Sequence, residues 1–600
     1  MNSLRIIFLI ILLAQGAFGT IRYVSKTGSS TPPYITWETA SDSIQKCLNI
    51  CVDGDTIIVG NGIYREWFYV IKELTILGVS MDSTVVDATD LVPGPAPMEP
   101  DCSFCFKKKS RVENITLIGK GVIPGFYTVS ILDCSVTIKN CKVQKGLAAI
   151  GLIGYFTNDI LIEGCILSET LRGVSSVAMT TQFAYVIKDC LIITINDFGR
   201  GTGIRNDYSL FRSQGNIIMG KDIGYSGIHA EGNTYSNILN NFASGYDYKL
   251  FNFPQASGST SNFINNVTTY FQHMNTSTSM CIVFSRGNLW NVRNNIIMNT
   301  KGTRPAIYCA IDTLMTDYNI FWKNAINGSG SVKFGESDLF ADPMLVNDTV
   351  AVVNGSYDYH LQTYSPGIDA GDPAILDPDG TRSDIGMFGG PLGQIYQYQD
   401  LPPKRPSGIV PILIPDEKRI IVKWAKNSEA DTSHYIIYKD TVSNFPMDSS
   451  HIFLTQKDTI IEDYFTSETG RLYYRIKAAD KQGNMSEGSD EVAFVLTDEG
   501  EYVTEVKRDY HLYQNYPNPF NPSTVISYQL VVSSYVKVII YDIKGEVLEV
   551  LVNENKSAGY YEVEFNAGKY ASGIYLYRIE AVDEAGIPRF MDIKKMILIK

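Results

Sequence analysis

Short stretches of one pattern recur along the first half of this chain, and their spacing restricts the fold more than any other feature. In each stretch a single Cys or Asn lies between two apolar, strand-like runs, as in VTIKNCKV, ILIEGCIL and NILNNFAS. The aligned positions, separated by 24, 25, 26, 25, 25, 29 and 24 residues, are Cys141, Cys165, Cys190, Asn216, Asn241, Asn266, Asn295 and Asn319. Short strands repeating at this period, with Asn, Gly and Asp between them, are typical of a β-solenoid.

Each repeat is predicted to be one rung of the solenoid, because a single rung cannot bury its own apolar face and must stack on its neighbours. The aligned positions would then form a ladder at a bend between strands. The Asn side chains would hydrogen bond along the axis, and Cys141, Cys165 and Cys190 would lie reduced in the interior, with a metal or a disulfide as the alternative. VENITLIG adds Asn114 as an earlier member, 27 residues before Cys141.

The two ends of the repeat region have features of a solenoid entry and exit. Ile44, Cys47, Leu48 and Cys51 fall on one helical face before the run DTIIVGNGIY, so an amphipathic helix would cover the first rung. YVSKTGSS precedes this helix, and YDYHLQTYSPGIDAGDP and LDPDGTRSDIGMFGG close the region. On these stretches, residues 21–395 resemble the right-handed parallel β-helix proteins of bacterial surfaces, whose fold is that of the pectate lyases.

The first 20 residues predict a secretory signal. Arg5 supplies the positive charge, residues 6–13 are apolar, and small residues precede a cleavage site near Thr20. The apolar run is shorter than the roughly 20 residues that a membrane span needs. A net charge of −13 without a basic run argues against a nucleic-acid partner. We therefore expect an exported protein that has no transmembrane span after removal of the signal.

Two further modules are expected after the solenoid. Residues 396–408 are a Pro-rich linker. Residues 409–498 show strand alternation with an early Trp424 and the pair Tyr473 and Tyr474, and they resemble a fibronectin type III sandwich, a common spacer. The predicted fold class is all-β: a right-handed parallel β-helix followed by two small β-sandwich domains.

The last of these domains, residues 510–600, begins with the rigid stretch YQNYPNPFNPSTVISYQL. It is similar to the C-terminal sorting domain of type IX secretion. The residues that carry the similarity include Asn515, Pro517, Asn518, Pro519, Phe520, Asn521, Pro522, Gly545, Gly573 and Tyr575. The resemblance implies that the type IX machinery of the outer membrane is a partner, and that the protein reaches the cell surface or the medium through the periplasm.

Candidate catalytic residues are few and lie on two neighbouring rungs. Arg205 and Asp207 fall in one repeat, and His229 and Glu231 follow 24 residues later. Stacking at about 4.8 Å would bring Arg205 beside His229. Asp207 and Glu231 would then be candidates for the two carboxylates, about 5–9.5 Å apart, of a glycoside hydrolase. A plain rung corner is the alternative reading of the same residues.

Calcium is the one cofactor that the sequence suggests. The acidic run DAGDPAILDPDGTRSD offers Asp377, Asp379 and Asp384 as metal ligands, although the spacing of a calcium-binding hand is absent. A turn that closes the last rung is the simpler interpretation. Cys102 and Cys105 form an isolated CxxC, for which a local disulfide is expected in an exported chain rather than zinc.

Two functions are compatible with these observations. The favoured one is an exported protein whose β-helix binds glycan or serves as an extended scaffold or adhesin, without catalysis. The alternative is a polysaccharide lyase or glycoside hydrolase acting along the β-helix. Fold alone does not decide between them.

Overall fold

A computed structural model of the chain separates it into two compact units, Met1–Phe340 with Asp369–Ile395, and Ala341–Ile368 with Tyr396–Lys600. The predicted signal segment lies outside the described residues. The structure describes residues 19–91, 102–123, 126–154, 159–178, 184–195, 201–207, 210–231, 236–253, 260–269, 282–284, 289–300, 305–347, 358–465, 470–496, 502–507, 510–516, 518–531, 534–556, 559–583 and 588–599.

The described residues of the first unit form a β-solenoid, in which 29 strands pair in parallel and make up three faces. Face 1 contains Ile21–Val24, Thr56–Val59, Leu74–Gly78, Ser110–Glu113, Val136–Lys139, Asp159–Glu163, Ala184–Lys188, Leu210–Gln214, Ser236–Leu239, Thr260–Ile264 and Leu289–Arg293. Face 2 contains Gly62–Tyr64, Thr84–Asp87, Thr116–Ile118, Leu191–Ile195, Val267–Thr269, Ile296–Met298 and Ile320–Trp322. Face 3 contains Phe68–Val70, Cys102–Phe106, Tyr127–Leu132, Thr202–Asp207 and Ile282–Phe284.

Six longer strands connect the faces. Four run from face 2 into face 3, namely Lys142–Gly154, Ile166–Ala178, Ile217–Glu231 and Phe242–Phe253. Two run from face 3 into face 1, namely Ile307–Asp317 and Gly328–Phe334. Rungs follow the predicted repeat because equivalent apolar residues stack in register, as Ile138, Ile162 and Ile187 do at 0% exposure. The expected all-β solenoid is confirmed.

A short helix, Ile44–Ile50, packs its apolar side against the first rungs. Ile44, Cys47 and Leu48 are buried, and Ser43 caps the helix by accepting a hydrogen bond from the backbone N–H of Lys46. The Glu66 carboxylate accepts the first two N–H groups of the helix at 2.8 and 3.0 Å. The 3.6-residue periodicity in the sequence therefore marks the buried side of the helix.

The second unit contains a two-stranded sheet and two pairs of antiparallel sheets. The two-stranded sheet is Leu345–Asn347 with Asp358–Leu361. The first pair joins Val410–Ile414, Arg419–Lys423 and Ile460–Tyr464 in one sheet, and Ile452–Gln456, Thr432–Asp440, Gly470–Asp480, Glu491–Leu496 and Tyr502–Lys507 in the other; short 3₁₀ helices span Pro415–Glu417 and Ser449–His451. The second pair joins His511–Leu512, Ser523–Leu530 and Gly559–Asn566 in one sheet, and Val547–Lys556, Ser534–Tyr541, Gly573–Asp583 and Pro588–Leu598 in the other.

Each of these sheet pairs encloses its own apolar core. In the first pair, Trp424 and Tyr435 pack with ring centroids 5.4 Å apart among buried residues of both sheets. In the second pair, Phe520, Phe565 and Tyr577 are buried together. The small antiparallel β-sheet domains after the solenoid are thus confirmed, whereas a fibronectin type III identity of the first stays a prediction, as do the domain boundaries.

Candidate functional site

The four catalytic candidates lie on face 3 of the solenoid. Thr202–Asp207 pairs with the end of Ile217–Glu231 in a register that places Arg205 opposite His229 and Asp207 opposite Glu231. Side chains alternate along a strand, and Asn206, between Arg205 and Asp207, is buried at 0% exposure. Arg205 and Asp207 therefore lie on the outward side of the coil. For Glu231 only the strand register is described, so the separation of the two carboxylates stays a prediction.

Arg205 and Asp207 form an ion pair within one strand. The Nε–H of Arg205 donates to Oδ2 of Asp207 at 2.8 Å, and the two side chains are 35% and 13% exposed. Arg111 and Glu113 make a similar pair on face 1, also with Nε and a carboxylate oxygen 2.8 Å apart. The pair of face 3 differs in its neighbours, because only there does the register place a histidine beside the arginine.

Arg205 has register partners in the neighbouring strands along the axis of the coil. We call the set Ser175, Arg205, His229, Asn252, Val283 and Tyr308 the face 3 column. Tyr308 is 36% exposed, whereas Ser175 and Val283 are buried at 1% and 7%. Arg172 donates from Nη1 to the hydroxyl of Ser175 at 3.5 Å. The column thus offers a guanidinium, an imidazole and a phenol group. Neighbouring strands lie about 4.8 Å apart, so these groups are separated by one such spacing or by a small multiple of it.

The interior beneath Arg205 is closed by a buried hydrogen bond. Tyr185 donates from its hydroxyl to Oδ1 of Asn206 at 2.9 Å, and its ring stacks on Phe211 with centroids 5.7 Å apart. Burial raises the pKa of Tyr185 well above its usual value, so the phenol stays a donor. On its inward side, the strand that carries Arg205 and Asp207 is therefore hydrogen bonded through Asn206 to the phenol of Tyr185, which stays protonated.

The predicted ladder is present as a chain of hydrogen bonds between rungs. The Oδ1 atom of each Asn accepts the backbone N–H of the preceding position, at 2.9–3.1 Å, from Cys190 through Asn295. Cys141, Cys165 and Cys190 are free and buried at the same column. At the far end Asn319 donates both N–H and Nδ2–H to Oδ1 of Asp338, each at 2.9 Å. Sequence reasoning missed Asp338, which lies outside the strand repeat.

One member of the predicted ladder was misplaced by a residue. Asn114 is not buried in the column; Ile115 is, and its carbonyl accepts the N–H of Lys142 at 3.0 Å as Cys141 does from Ile166. Asn114 has φ of +55°, as do the residues before the other ladder positions, with φ between +50° and +63°: Asn140, Gly164, Asp189, Gly215, Asn240, Asn265, Asn294 and Tyr318. Asn, Asp and Gly tolerate this left-handed conformation, which explains their enrichment at the bend.

The acidic segment does not gather its carboxylates into the predicted metal site. Asp377 accepts backbone N–H groups of Asp384 and Gly390, and Asp379 accepts Thr381 N–H at 3.0 Å. Oδ1 of Asp384 accepts Asp369 N–H at 3.0 Å. These three carboxylates do not all lie within 4.8 Å of one another. Each stabilises the local turn instead, so the structure does not support a shared ion at Asp377, Asp379 and Asp384.

The same segment crosses several rungs rather than only closing the last. The side chain of Asn240 donates to the carbonyls of Met387 and Gly389, and that of Asn265 to the carbonyl of Asp384 at 2.9 Å. Asn294 accepts the N–H of Asp372 at 2.7 Å. The left-handed Asn residues of three successive rungs thus anchor residues 369–390 along the bend. Elsewhere in the solenoid, Cys102 and Cys105 are joined by a disulfide.

The C-terminal motif packs into its sandwich through backbone-directed bonds. The N–H of Asn515 donates to the Tyr577 hydroxyl at 2.7 Å, and Oδ1 of Asn518 accepts the N–H of Ile597 at 2.9 Å. Phe520, 1% exposed, exchanges backbone hydrogen bonds with the last strand at 2.9 Å. The carbonyl of Pro522 accepts the N–H of Ala567 at 2.8 Å. The opening segment therefore lies against the end of the last strand; Pro517 lies outside the described residues.

Three further motif positions belong to turns and the last sheet. Gly545 has φ of +84°, which favours glycine. Gly573 begins its strand, and Tyr575 donates from its hydroxyl to the carbonyl of Ala571 at 2.6 Å. Asn521 and Pro519 complete the segment between Asn518 and Pro522.

Residues 514–593 match the family described as the secretion system C-terminal sorting domain. The chain therefore combines a β-solenoid with a type IX sorting domain, and it is exported to the cell surface or outside the cell. Among the residues described, no helix has the length and apolar character to span a membrane. A search of curated proteins found no match.

Solved structures with similar folds include a pectate lyase, a pectin methylesterase and a bacteriophage tailspike domain. The pectate lyase Pel9A is 13% identical with a TM-score of 0.41, over 61% of this chain and 96% of that chain. A pectin methylesterase in complex with a hexasaccharide is 11% identical, TM-score 0.26, over 38% and 80%. The enzymatically active domain of tailspike protein 2 of bacteriophage CBA120 is 10% identical, TM-score 0.28, over 93% and 74%. At these scores the similarities carry no argument about activity.

Proposed function

We propose that this exported protein binds an extended glycan along the outward side of face 3, without cleaving it. The observation that carries the proposal is the register of Arg205 beside His229 within a column that also presents Tyr308. Guanidinium and imidazole groups donate to hydroxyl or carboxylate oxygens, and an aromatic ring adds an apolar surface. A straight column of such groups suits a linear polymer better than a compact ligand.

Binding is favoured over catalysis because Arg205 is already paired. Its Nε–H is committed to Asp207, whereas a base for a lyase reaction must be free to take a proton from the substrate. The register of Asp207 opposite Glu231 supports the alternative, a glycoside hydrolase or polysaccharide lyase. The two proposals differ in whether the glycan is released intact.

The test uses the purified mature chain and a panel of acidic and neutral polysaccharides. Arg205→Ala and His229→Ala are each expected to weaken binding roughly tenfold or more, because a hydrogen bond to a charged group contributes about 1.5–3 kcal/mol. Affinity is measured by calorimetry or biolayer interferometry. Arg111→Ala is the matched control, since it breaks an ion pair of the same geometry on face 1.

Equal losses in the Arg205 and Arg111 variants would contradict a site on face 3. Release of new reducing ends or unsaturated sugars by the wild type, abolished by Asp207→Asn, would replace the binding proposal by the enzymatic one. If the wild type binds no polysaccharide in the panel, the glycan-binding proposal is rejected.

A further inference from the structure

Three carboxyl groups meet where the linker passes the first sandwich of the second unit. The carboxylate oxygens of Asp400, Asp431 and Asp480 lie within 4.8 Å of one another. In the described part of the chain no other trio drawn from His, Cys, Asp and Glu satisfies this distance. Asp431 directly precedes the strand Thr432–Asp440, and the pairing of Thr432 with Asp480 brings the two acids together. Asp400 reaches them from the linker.

Asp480 is buried and fully satisfied by hydrogen bonds. It is 2% exposed, and its Oδ1 accepts the backbone N–H groups of Gln482 and Asn484 at 2.9 and 2.8 Å. Its Oδ2 accepts Asn484 Nδ2–H at 2.9 Å, and the same amide reaches Asp400 at 3.2 Å. These donors fix the turn after Asp480 and orient its carboxylate toward the other two.

Asp431 is buried without such support. It is 3% exposed, and no other described residue donates a hydrogen bond to its carboxylate. The neighbouring ammonium of Lys481 donates to the carbonyl of Ala430 at 3.2 Å, and no ion pair joins it to Asp431. Ionising a carboxylate in a side chain this buried is costly without a partner, and a cation bound to its oxygens would offset that cost.

The charges around Asp431 are of the same sign. Burial, followed by the negative charges of Asp480, Glu429 and Asp400, raises the pKa of Asp431 to about 6. The carboxylates of Asp400, Asp431 and Asp480 share a small volume, and their mutual repulsion disfavours the folded sandwich. A bound divalent cation would reverse the sign of this interaction.

We propose that Asp400, Asp431 and Asp480 bind a calcium ion that joins the linker to the sandwich. The ligands are all oxygens, with no Cys or His among them, which suits a hard cation rather than zinc or copper. Three carboxylates supply part of the six to eight oxygens that calcium takes, and water and backbone carbonyls complete the shell. The ion would hold the linker against two loops that the fold brings together.

Calcium titration of the purified mature chain, after treatment with a chelator, tests the site. We expect binding at this site with a dissociation constant of about 10⁻⁴–10⁻³ M, the range of extracellular modules. Asp431→Asn should weaken it about tenfold or more because one charged ligand is lost. Asp379→Asn, in the acidic segment of the solenoid, is the control and should leave this binding unchanged. The proposal is overturned if the wild type binds no calcium, or if Asp431→Asn does not weaken binding.

A second measurement separates metal binding from a structural role of Asp431. In chelator, Asp431→Asn removes one of three crowded carboxylates, so hydrogen exchange of Thr432–Asp440 should be slower in the variant than in the wild type. At a calcium concentration that saturates the wild type but not the variant, the order should reverse, because the wild type gains more stabilisation from the ion. The same order in both solutions would reject the site even if the variant folds normally.

Discussion

The ladder of the solenoid has two halves, which differ in the residue that faces the backbone carbonyls of the bend: Asn in one half and Cys in the other. In the Asn half, the amide of Asn266 donates to the carbonyls of Ile238 and Ile264 at 2.9 and 3.1 Å, and its oxygen accepts from Asn241. In the Cys half, the thiol of Cys190 faces the equivalent carbonyls of Ile162 and Lys188 at 3.6 and 3.2 Å. The same backbone bend accepts either residue. The Asn half links successive rungs by strong side-chain bonds, whereas the Cys half relies on burial.

The largest expected effect is the loss of one Asn. Asn266→Ala removes the acceptor of the buried Asn241 N–H, at 2.9 Å in the native chain, and the amide that donates to the carbonyls of Ile238 and Ile264. We expect a loss of about 3 kcal/mol in the free energy of unfolding, measured by urea denaturation. Cys165→Ala, the control in the other half, should lose only about 1 kcal/mol. Equal losses would remove the distinction between the halves.

A smaller effect is a pH dependence of stability, and it concerns the Asn half alone, because that half ends at the carboxyl group of Asp338. Burial raises the pKa of Asp338 although Thr316 and Asn319 donate to it. The folded pKa lies above the unfolded value of 3.8, so at a pH between the two the native state holds more protons than the unfolded state. The stability that Asp338 contributes is full below that pH and declines through the folded pKa.

The stability of wild type minus that of Asp338→Asn should therefore decrease with rising pH over the acidic range. Urea denaturation at several pH values measures this slope, and any constant offset from the amide cancels. A difference that increases with pH would mean that the hydrogen bonds to Asp338 outweigh its burial.

The smallest effect is an extension of the Asn half by one rung. In Cys190→Asn, the new amide would face the carbonyls of Ile162 and Lys188, and its oxygen would accept the N–H of Cys165. We expect stability unchanged or increased by up to about 1 kcal/mol, with slower hydrogen exchange at residues 160–167. A clear destabilisation would show that the Cys half has a tighter bend than the Asn half.

The rungs were predictable because one side chain per repeat occupies the same buried environment. Where that chemistry changes, prediction is off by one residue or fails: Ile115 carries no amide, so the pattern aligns the neighbouring Asn114 in its place. Asp338 is not flanked by the strand pattern that marks the other rungs. Asp400, Asp431 and Asp480 meet only through antiparallel pairing and the path of the linker, which no local pattern encodes. The register of Arg205 and His229 follows from the repeat length, but their role depends on a ligand.

Residues 369–390 have a consequence for how the solenoid opens. A stack of coils ordinarily melts from its ends, one coil after another, since each coil contacts only its neighbours. Here one segment is bonded to Asn240, Asn265 and Asn294 at once, so the three coils that carry these residues are coupled through it. The middle of the stack should consequently exchange its amide protons as a single cooperative block, while coils toward the N-terminus fray independently.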